Sequence, residues 1–309
     1  MNVTILTTSY KRPVLLKRLG DVIIPLINKL DGVLKWKIIV DDNTNEYDLV
    51  FKDIKQKIKN KSLVTWSYQN NIGKFKSLIK LFNESVDSEW LVNIDDDDLI
   101  INYKFEKFLK KLDNVDEDIK AVLVPRLILN VRFYNFRFKK KVKLFSSSNN
   151  VKMSYFDFKE FFGDIDSTIF LRSSKYNISH FPEVADDNFT AESLLWLKTF
   201  PNKDILFLNE YVLYSQYLTG GLTKSTIFQR TSNSTSAIAL YKSFLEYKKF
   251  TMSKTFIKSL INYYRFNLHG KKKIDISKDD FANYYTRYAC LIFARLIFFY
   301  DNLILKTKD

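Results

Sequence analysis

Four consecutive aspartates, Asp95–Asp98, close the run Trp90–Ile100, WLVNIDDDDLI. The residues before them are apolar and β-prone, so like charges gather at the end of a strand expected to be buried. Neighbouring carboxylates repel one another, and capping a helix start occupies only one of them. A divalent cation would remove the conflict. Hard oxygen donors suit Mg2+ or Mn2+, ions that keep several waters and bridge to substrate phosphates. A solvated loop or helix cap is the plainer alternative, and at this level both readings stand.

The other strand ends are polar as well. Asp41 and Asp42 close the run Trp36–Asp42, where carboxylates can accept from the N–H of a base or the hydroxyls of a sugar. Thr7, Thr8, Ser9 and Tyr10 follow the run Val3–Thr8 and offer hydroxyls and backbone groups. The stretch Asn70–Ser77 sets Gly73 and Lys74 at a helix start, which favours phosphate. Lys76 reads as an ordinary exposed lysine. These segments converge only if the elements behind them alternate, and they do. Short β-rich runs at Val3–Thr8, Trp36–Asp42, Ser62–Gln69 and Glu89–Asp95 are separated by amphipathic stretches, the first carrying Pro13 in its opening turn. Strand–helix alternation implies an α/β fold, a mostly parallel sheet flanked by helices. In such sheets ligands bind beyond the carboxyl ends of the strands. A further helix near Tyr103–Leu112 and strands at Lys120–Leu129, Asp166–Arg172 and Asp204–Tyr217 follow, with a helix at Phe189–Phe200 between the last two.

Bulk composition bounds the chemistry. The 309 residues are 46% hydrophobic and 16% aromatic, enough for a sizeable core. One cysteine, Cys290, excludes an internal disulfide and makes the cytoplasm the natural compartment. With two histidines, a zinc site or a Cys–His nucleophile pair is not expected. The net charge of +14 admits nucleic acid, anionic lipid and phosphorylated ligands as partners without choosing among them. The N-terminal sequence lacks the pattern of a secretory leader. The late apolar runs, broken by Arg295, read as falling short of the roughly 20 residues of a membrane span, so a soluble or peripheral protein is expected. Val131–Phe145 alternates aromatics with basic residues and reads as a hairpin or flap, either simply solvated or meeting anionic groups. From about residue 231 the chain turns helical. Those helices would pack on the preceding α/β domain, on a second subunit as a homo-oligomer, or on an anionic bilayer face. Two domains are expected, 1–230 and a helical extension, 231–309.

The motif set resembles the family 2 glycosyltransferases of the GT-A fold, of the bacterial capsule or lipooligosaccharide type. The matching stretches are VTILTTSYKRPVLLKRL, IIVDDNTNEY, NNIGKFKSL, WLVNIDDDDLI, DSTIFLR and NEYVLYSQYLTGGLTKS, in family order over residues 1 to 226. The resemblance implies a nucleotide-sugar donor, most often a UDP-sugar, and a glycan or lipid-linked acceptor in surface polysaccharide synthesis. It implies that Asp42 meets the base, and that Asp41, Thr8, Tyr10 and Arg12 line the nucleotide pocket. Gly73, Lys74, Asp95 and Asp96 would complete the donor site. Asp97, with Asp95, would hold Mn2+ or Mg2+, while Asp98 holds the loop or the donor sugar. An inverting hexosyl transfer also needs a carboxylate base for the acceptor hydroxyl. Two alignments of EVADDNFTAESLLWLK compete for it. Glu192–Ser193 precedes the apolar helix but puts serine where the family has aspartate, and Asp186–Asp187 keeps an aspartate but starts the helix early. Glu192 and Asp187 therefore both stand as the base, against a plain role as helix N-terminal carboxylates.

Three rivals remain. A basic nucleic-acid-binding protein fits the charge, but the acids at the strand ends would repel a phosphate backbone and no nucleic-acid motif is present. A sugar nucleotidyltransferase would need a Gly-rich loop after the first strand, and TTSYKRP has no glycine. A degenerate transferase that binds nucleotide without catalysis is motivated by Ser193.

Overall fold

The computed structural model of the chain describes residues 1–128, 150–163, 165–175, 187, 189–216, 226–247, 253–272 and 274–306. The expected flap at Val131–Phe145, Asp186 and the GGLT turn lie outside the described residues. In chain order the elements are β1 (Val3–Ser9), α1 (Pro13–Lys29), β2 (Leu34–Val40), α2 (Asp48–Lys57), β3 (Val64–Tyr68), α3 (Lys74–Asn83), β4 (Trp90–Asn93), β5 (Leu99–Ile100), α4 (Asn102–Leu112), β6 (Ala121–Pro125) and β7 (Leu127–Ile128). They continue with β8 (Asn150–Met153), α5 (Tyr155–Phe162), β9 (Ser167–Arg172), α6 (Glu192–Thr199), β10 (Ile205–Leu208), β11 (Leu213–Ser215), α7 (Thr226–Ser232), α8 (Ser234–Tyr247), α9 (Lys254–His269) and α10 (Tyr284–Lys306).

The chain forms two compact units that interleave along the sequence. The first comprises Met1–Met153, Asp164–Ile178 and Asn202–Leu218; the second comprises Ser154–Gly163, Ser179–Pro201 and Thr219–Asp309. The first unit carries a mostly parallel sheet in the order β3-β2-β1-β4-β9-β6-β10-β8. Strands β3, β2, β1 and β4 run parallel. Strand β9 then enters antiparallel between β4 and β6, and β8 lies antiparallel at one edge. A small second sheet has the order β5-β11-β7. The run Lys120–Leu129, which reads as one strand in sequence, divides at Arg126 into β6 and β7 because β7 leaves the large sheet for the small one. Likewise β2 and β4 end before their aspartates, which leaves those carboxylates on the loops beyond.

The apolar pattern explains these elements. All seven residues of β1 are buried, as expected for a strand covered on both faces. Helix α1 starts with Pro13 at its first position, where no N–H is needed, and buries Leu16, Leu19, Ile23, Ile24, Leu26 and Ile27. Gly73 precedes α3 with φ +89°, a backbone conformation that residues with a Cβ rarely adopt. Phe170, central in β9, is fully buried against Phe105 and Phe108 of α4, with ring centroids 6.1 and 4.7 Å away.

The second unit packs α9 against both α8 and α10 around Leu245, Phe256, Leu260, Tyr264, Leu291 and Ala294. Here the structure corrects the reading of the late apolar runs. Arg295 does not interrupt them. It lies on the exposed side of one continuous helix, and Tyr284–Leu305 is long and apolar enough, by length and composition, to cross a membrane. Arginine on an outward face breaks neither the hydrogen-bond ladder nor the packing.

Truncating Phe170 to alanine removes the ring that joins β9 to α4 and is expected to cost about 3–5 kcal/mol. Urea denaturation followed by circular dichroism measures the loss, and a cost below about 1 kcal/mol would contradict this packing role.

Candidate active site

The C-terminal ends of β1, β2 and β4, neighbours in the parallel part of the sheet, place three polar loops side by side. Thr7, near the end of β1, fixes their mutual register. Its hydroxyl donates to the carbonyl of Ile94 at 2.8 Å and accepts from the indole N–H of Trp36 at 2.9 Å.

The four aspartates after β4 divide by parity. Asp96 and Asp98 turn inward, with side chains 4% and 3% exposed, while Asp95 and Asp97 are each 23% exposed. Asp96 accepts from the Ser9 hydroxyl at 2.6 Å and from Arg12 Nη1 at 3.3 Å. It thereby ties the β4 loop to the β1 loop. Asp98 accepts from Arg126 Nη1 at 2.8 Å and from the Ser215 hydroxyl at 2.9 Å, reaching β11 and the β6–β7 break. The outward pair is matched by cations: Asp95 Oδ2 lies 2.9 Å from Lys74 Nζ, and Asp97 Oδ2 lies 3.3 Å from Arg12 Nη1. Arg18 of α1 donates to the Asp97 carbonyl at 3.0 Å and to Gln216 Oε1 at 2.9 Å.

The charges respond to this frame. Burial opposes ionisation of Asp95, but Lys74 and Arg126 outweigh it and hold the carboxyl below its ordinary range. Burial pushes Asp96 up to about 6, against the Ser9 hydrogen bond and the Arg12 charge. Burial and the neighbouring Asp95 raise Asp97. Asp98 is raised by burial although Arg126 opposes the shift.

The remaining candidates fall in different places. Asp41, 3% exposed, accepts from the backbone N–H groups of Ile72 and Gly73 at 3.0 and 2.9 Å and from Gln69 at 2.8 Å. It is the staple of the loop before α3, and it occupies the Gly73 N–H, one of the groups at the helix start that the sequence had offered to phosphate. Asp42 differs. Its Oδ2 is buried and has no hydrogen-bond partner. A buried acceptor left unpaired is costly, and a ligand N–H would relieve that cost. Thr8 is 8% exposed, whereas Tyr10 is 42% exposed beneath the Lys11 ammonium. Tyr47, which the sequence did not single out, receives the backbone N–H of Arg12 at 2.8 Å and lies 3.0 Å from the Ser9 hydroxyl. Arg126 and Arg18 were also missed. A lone arginine inside the apolar run AVLVPRLIL was the signal available for the first.

The donor set fits a hard divalent cation. Asp95 and Asp97 present carboxylate oxygens at the loop surface, and Mg2+ or Mn2+ takes one or two carboxylates and completes its shell with phosphate and water. Among the described residues no cluster of three or more acidic, histidine or cysteine side chains forms an all-protein cage.

The two base candidates belong to the second unit. Glu192 is the first residue of α6, and the adjacent Ser193 hydroxyl lies 3.2 Å from that of Tyr155. Asp187 Oδ2 accepts from the backbone N–H of Ser236 at 2.6 Å, in the first turn of α8. That bond gives Asp187 a capping role.

This architecture is the GT-A fold. No protein-family model matches the chain, and no curated protein matches it by sequence. Among solved structures it is similar to residues 1–349 of S. aureus TarS in complex with UDP-GlcNAc, at 12% identity and a TM-score of 0.56 over 96% of this chain and 90% of that one. Against a longer S. aureus TarS structure, the match covers 86% of this chain but 49% of that one, with a TM-score of 0.51. It is also similar to Mycobacterium tuberculosis glucosyl-3-phosphoglycerate synthase in complex with Mn2+, UDP and glucosyl-3-phosphoglycerate, at 13% identity and a TM-score of 0.50 over 77% of this chain and 80% of that one. At such identities the likeness concerns the fold.

Asp96 yields a pH prediction. Its proton is held more tightly in the folded chain than in the unfolded one, so the metal-free fold is favoured on the acid side, and this contribution fades as pH rises from about 4 to about 6. Relative to Asp96→Asn, the wild type should therefore lose up to about 3 kcal/mol between pH 4 and pH 7. Paired urea titrations at the two pH values measure the difference, and an unchanged or opposite difference would refute the assignment.

Removing Arg126 leaves Asp98 buried without its cation. Arg126→Met is expected to cost about 3–5 kcal/mol, most of it recovered by adding Asp98→Asn. A thermal-melt double-mutant cycle tests the coupling.

Proposed function

We propose that this chain is a metal-dependent glycosyltransferase that moves a sugar from a nucleotide-sugar donor, a UDP-sugar in the first instance, to a glycan or lipid-linked acceptor. The observation that carries this reading is the pairing of outward Asp95 and Asp97 with the unpartnered buried Oδ2 of Asp42, on neighbouring loops at the sheet's carboxyl edge. The GT-A fold supports it, as do the UDP-GlcNAc and UDP bound in the similar structures.

Asp42 accepts from the N–H of the base. Tyr10 and Arg12, both accessible, border the nucleotide, and Thr8 shapes the floor beneath them. Asp97 and Asp95 hold Mn2+ or Mg2+, which when bound supplies Lewis-acid neutralisation of the diphosphate leaving group. Lys74 and Arg12 already stand against these carboxylates and bring positive charge to the side where the diphosphate lies. Asp96 and Asp98 keep the loop in shape. Glu192 is taken first as the acceptor of the hydroxyl proton because it directly precedes the apolar run LLWLK, and Asp187 stands beside it as the alternative base. Inversion at the anomeric carbon follows from a single displacement with such a base. A non-catalytic nucleotide binder is the second reading, favoured by Ser193, which stands where the family has aspartate and pairs with Tyr155.

Calorimetric titration with UDP, with and without Mn2+, tests the donor site. Metal-dependent binding is expected, with Asp97→Asn weakening it tenfold or more. Metal-independent binding, or none, would count decisively against the reading. Glu192→Gln should leave UDP affinity unchanged and lower kcat by about 10²–10⁴ in transfer or donor hydrolysis. Loss of turnover in Asp187→Asn but not in Glu192→Gln would reverse the base assignment. Loss in neither, with measurable wild-type turnover, would refute both.

A further inference from the structure

We propose that the outward face of α10 docks the protein on an anionic lipid bilayer. This inference stands apart from the transfer chemistry and rests on the second unit alone.

The face is continuous. Tyr285, Tyr288, Ile292, Leu296, Phe299 and Leu303 succeed one another at spacings of three and four residues and are between 44% and 85% exposed. Such spacing puts them on one side of a helix. Over Tyr285–Leu303 the stripe runs for about 30 Å at 1.5 Å per residue. Isolated exposed apolar residues are ordinary, but a contiguous apolar surface marks an interaction site. Here α10 carries nine of the eighteen exposed large hydrophobic residues among those described.

The opposite face is already committed. Cys290, Leu291 and Ala294 lie in the core shared with α9. Asp301, 1% exposed, is held by Arg265 through two bonds of 2.6 Å and by His269 at 2.9 Å. A helix with an ion cluster on its inner side and a protein core against it does not cross hydrocarbon, where such groups are costly. It can lie along the membrane surface with its other side buried in the headgroup boundary.

Charge selects the occupant. The exposed stripe includes one charged residue, Arg295, and the only acid of α10 is the buried Asp301. Residues 219–309 contain 16 Lys and Arg against six Asp and Glu, a net +10 of the chain's +14. A second copy on this face would bring two segments of the same positive net charge together. An anionic bilayer satisfies the stripe and the charge at once, and each nearby Lys or Arg adds about 1 kcal/mol of attraction. Tyr284, Tyr285, Tyr288 and Tyr300 suit the headgroup level, where amphipathic rings concentrate.

The full chain is tested by co-sedimentation with vesicles containing phosphatidylglycerol and with vesicles of phosphatidylcholine alone. Binding to the anionic vesicles is expected to be at least about tenfold tighter and to weaken with salt. Leu296→Glu combined with Phe299→Glu, both at exposed positions, should reduce it tenfold or more with the melting temperature kept. Arg295→Glu should reduce the anionic preference alone. A wild-type chain that stays in the supernatant with both vesicles overturns the proposal, as does a folded double variant that pellets unchanged. It is equally overturned by a wild-type dimer that ignores vesicles and becomes monomeric in the double variant, which would make the face a self-interface.

Discussion

Concentrated negative charge at the end of a buried strand is the constraint around which the first unit is arranged. Taking carboxylates out of water is expensive, and their mutual repulsion adds to the expense. Arg126 answers part of it. Its guanidinium reaches Asp98 at 2.8 Å, approaches Asp95 at 3.9 Å and donates to Thr168 at 2.8 Å. One side chain therefore joins the β4 loop to β9 and to the break between β6 and β7. That break has a physical origin: the backbone turns at Arg126 into the small sheet, where β11 supplies Ser215 as a further donor to Asp98. Arg12 and Lys74 do the same on the solvent side. The result is a network of charge-assisted hydrogen bonds that is satisfied in several directions, the condition under which buried polar groups specify a structure rather than weaken it.

The site is consequently shaped before any ligand arrives. Asp41 holds the loop ahead of α3 by two backbone N–H groups, and Tyr47 holds the turn ahead of α1. A preorganised site loses less conformational entropy on binding, and fixed dipoles and charges stabilise developing charge without reorganising. The unpaired Oδ2 of Asp42 is one of several buried polar atoms left without a hydrogen-bond partner, with Thr44 Oγ1 and Asn93 Oδ1 among the others, and in the proposed reading a ligand N–H completes it.

Much of the scaffold was legible in the sequence. Strand–helix alternation across Val3–Asp95 is a local signal, and the structure repeats it with ends displaced by up to three residues. The aspartate run was legible as chemistry because like charges in series have few purely structural uses. The division of labour within it was not. Ser215 lies 117 residues from Asp98, Ser9 lies 87 from Asp96 and Arg18 lies 79 from Asp97, and no local pattern announces such partners. The insertion of β9 antiparallel between β4 and β6 was hidden for the same reason. In α10 the error ran the other way, since Arg295 was read as an interruption although a helix packed on one side only tolerates charge on the other.

The parity of the aspartates has a consequence for how this loop can vary through descent. Inward and outward carboxylates alternate residue by residue, so deleting or inserting a single position within the run would exchange the two sets. The carboxylates that clamp Ser9 and Arg126 would swing to the surface, and the more exposed pair, Asp95 and Asp97, would be driven into the frame. The length of the loop is therefore under tighter control than its composition. Asparagine retains an oxygen acceptor for Ser9 or Ser215, but no substitution restores a lost register. Change in this segment should arrive as replacements of side chains, with gaps confined to the turns on either side.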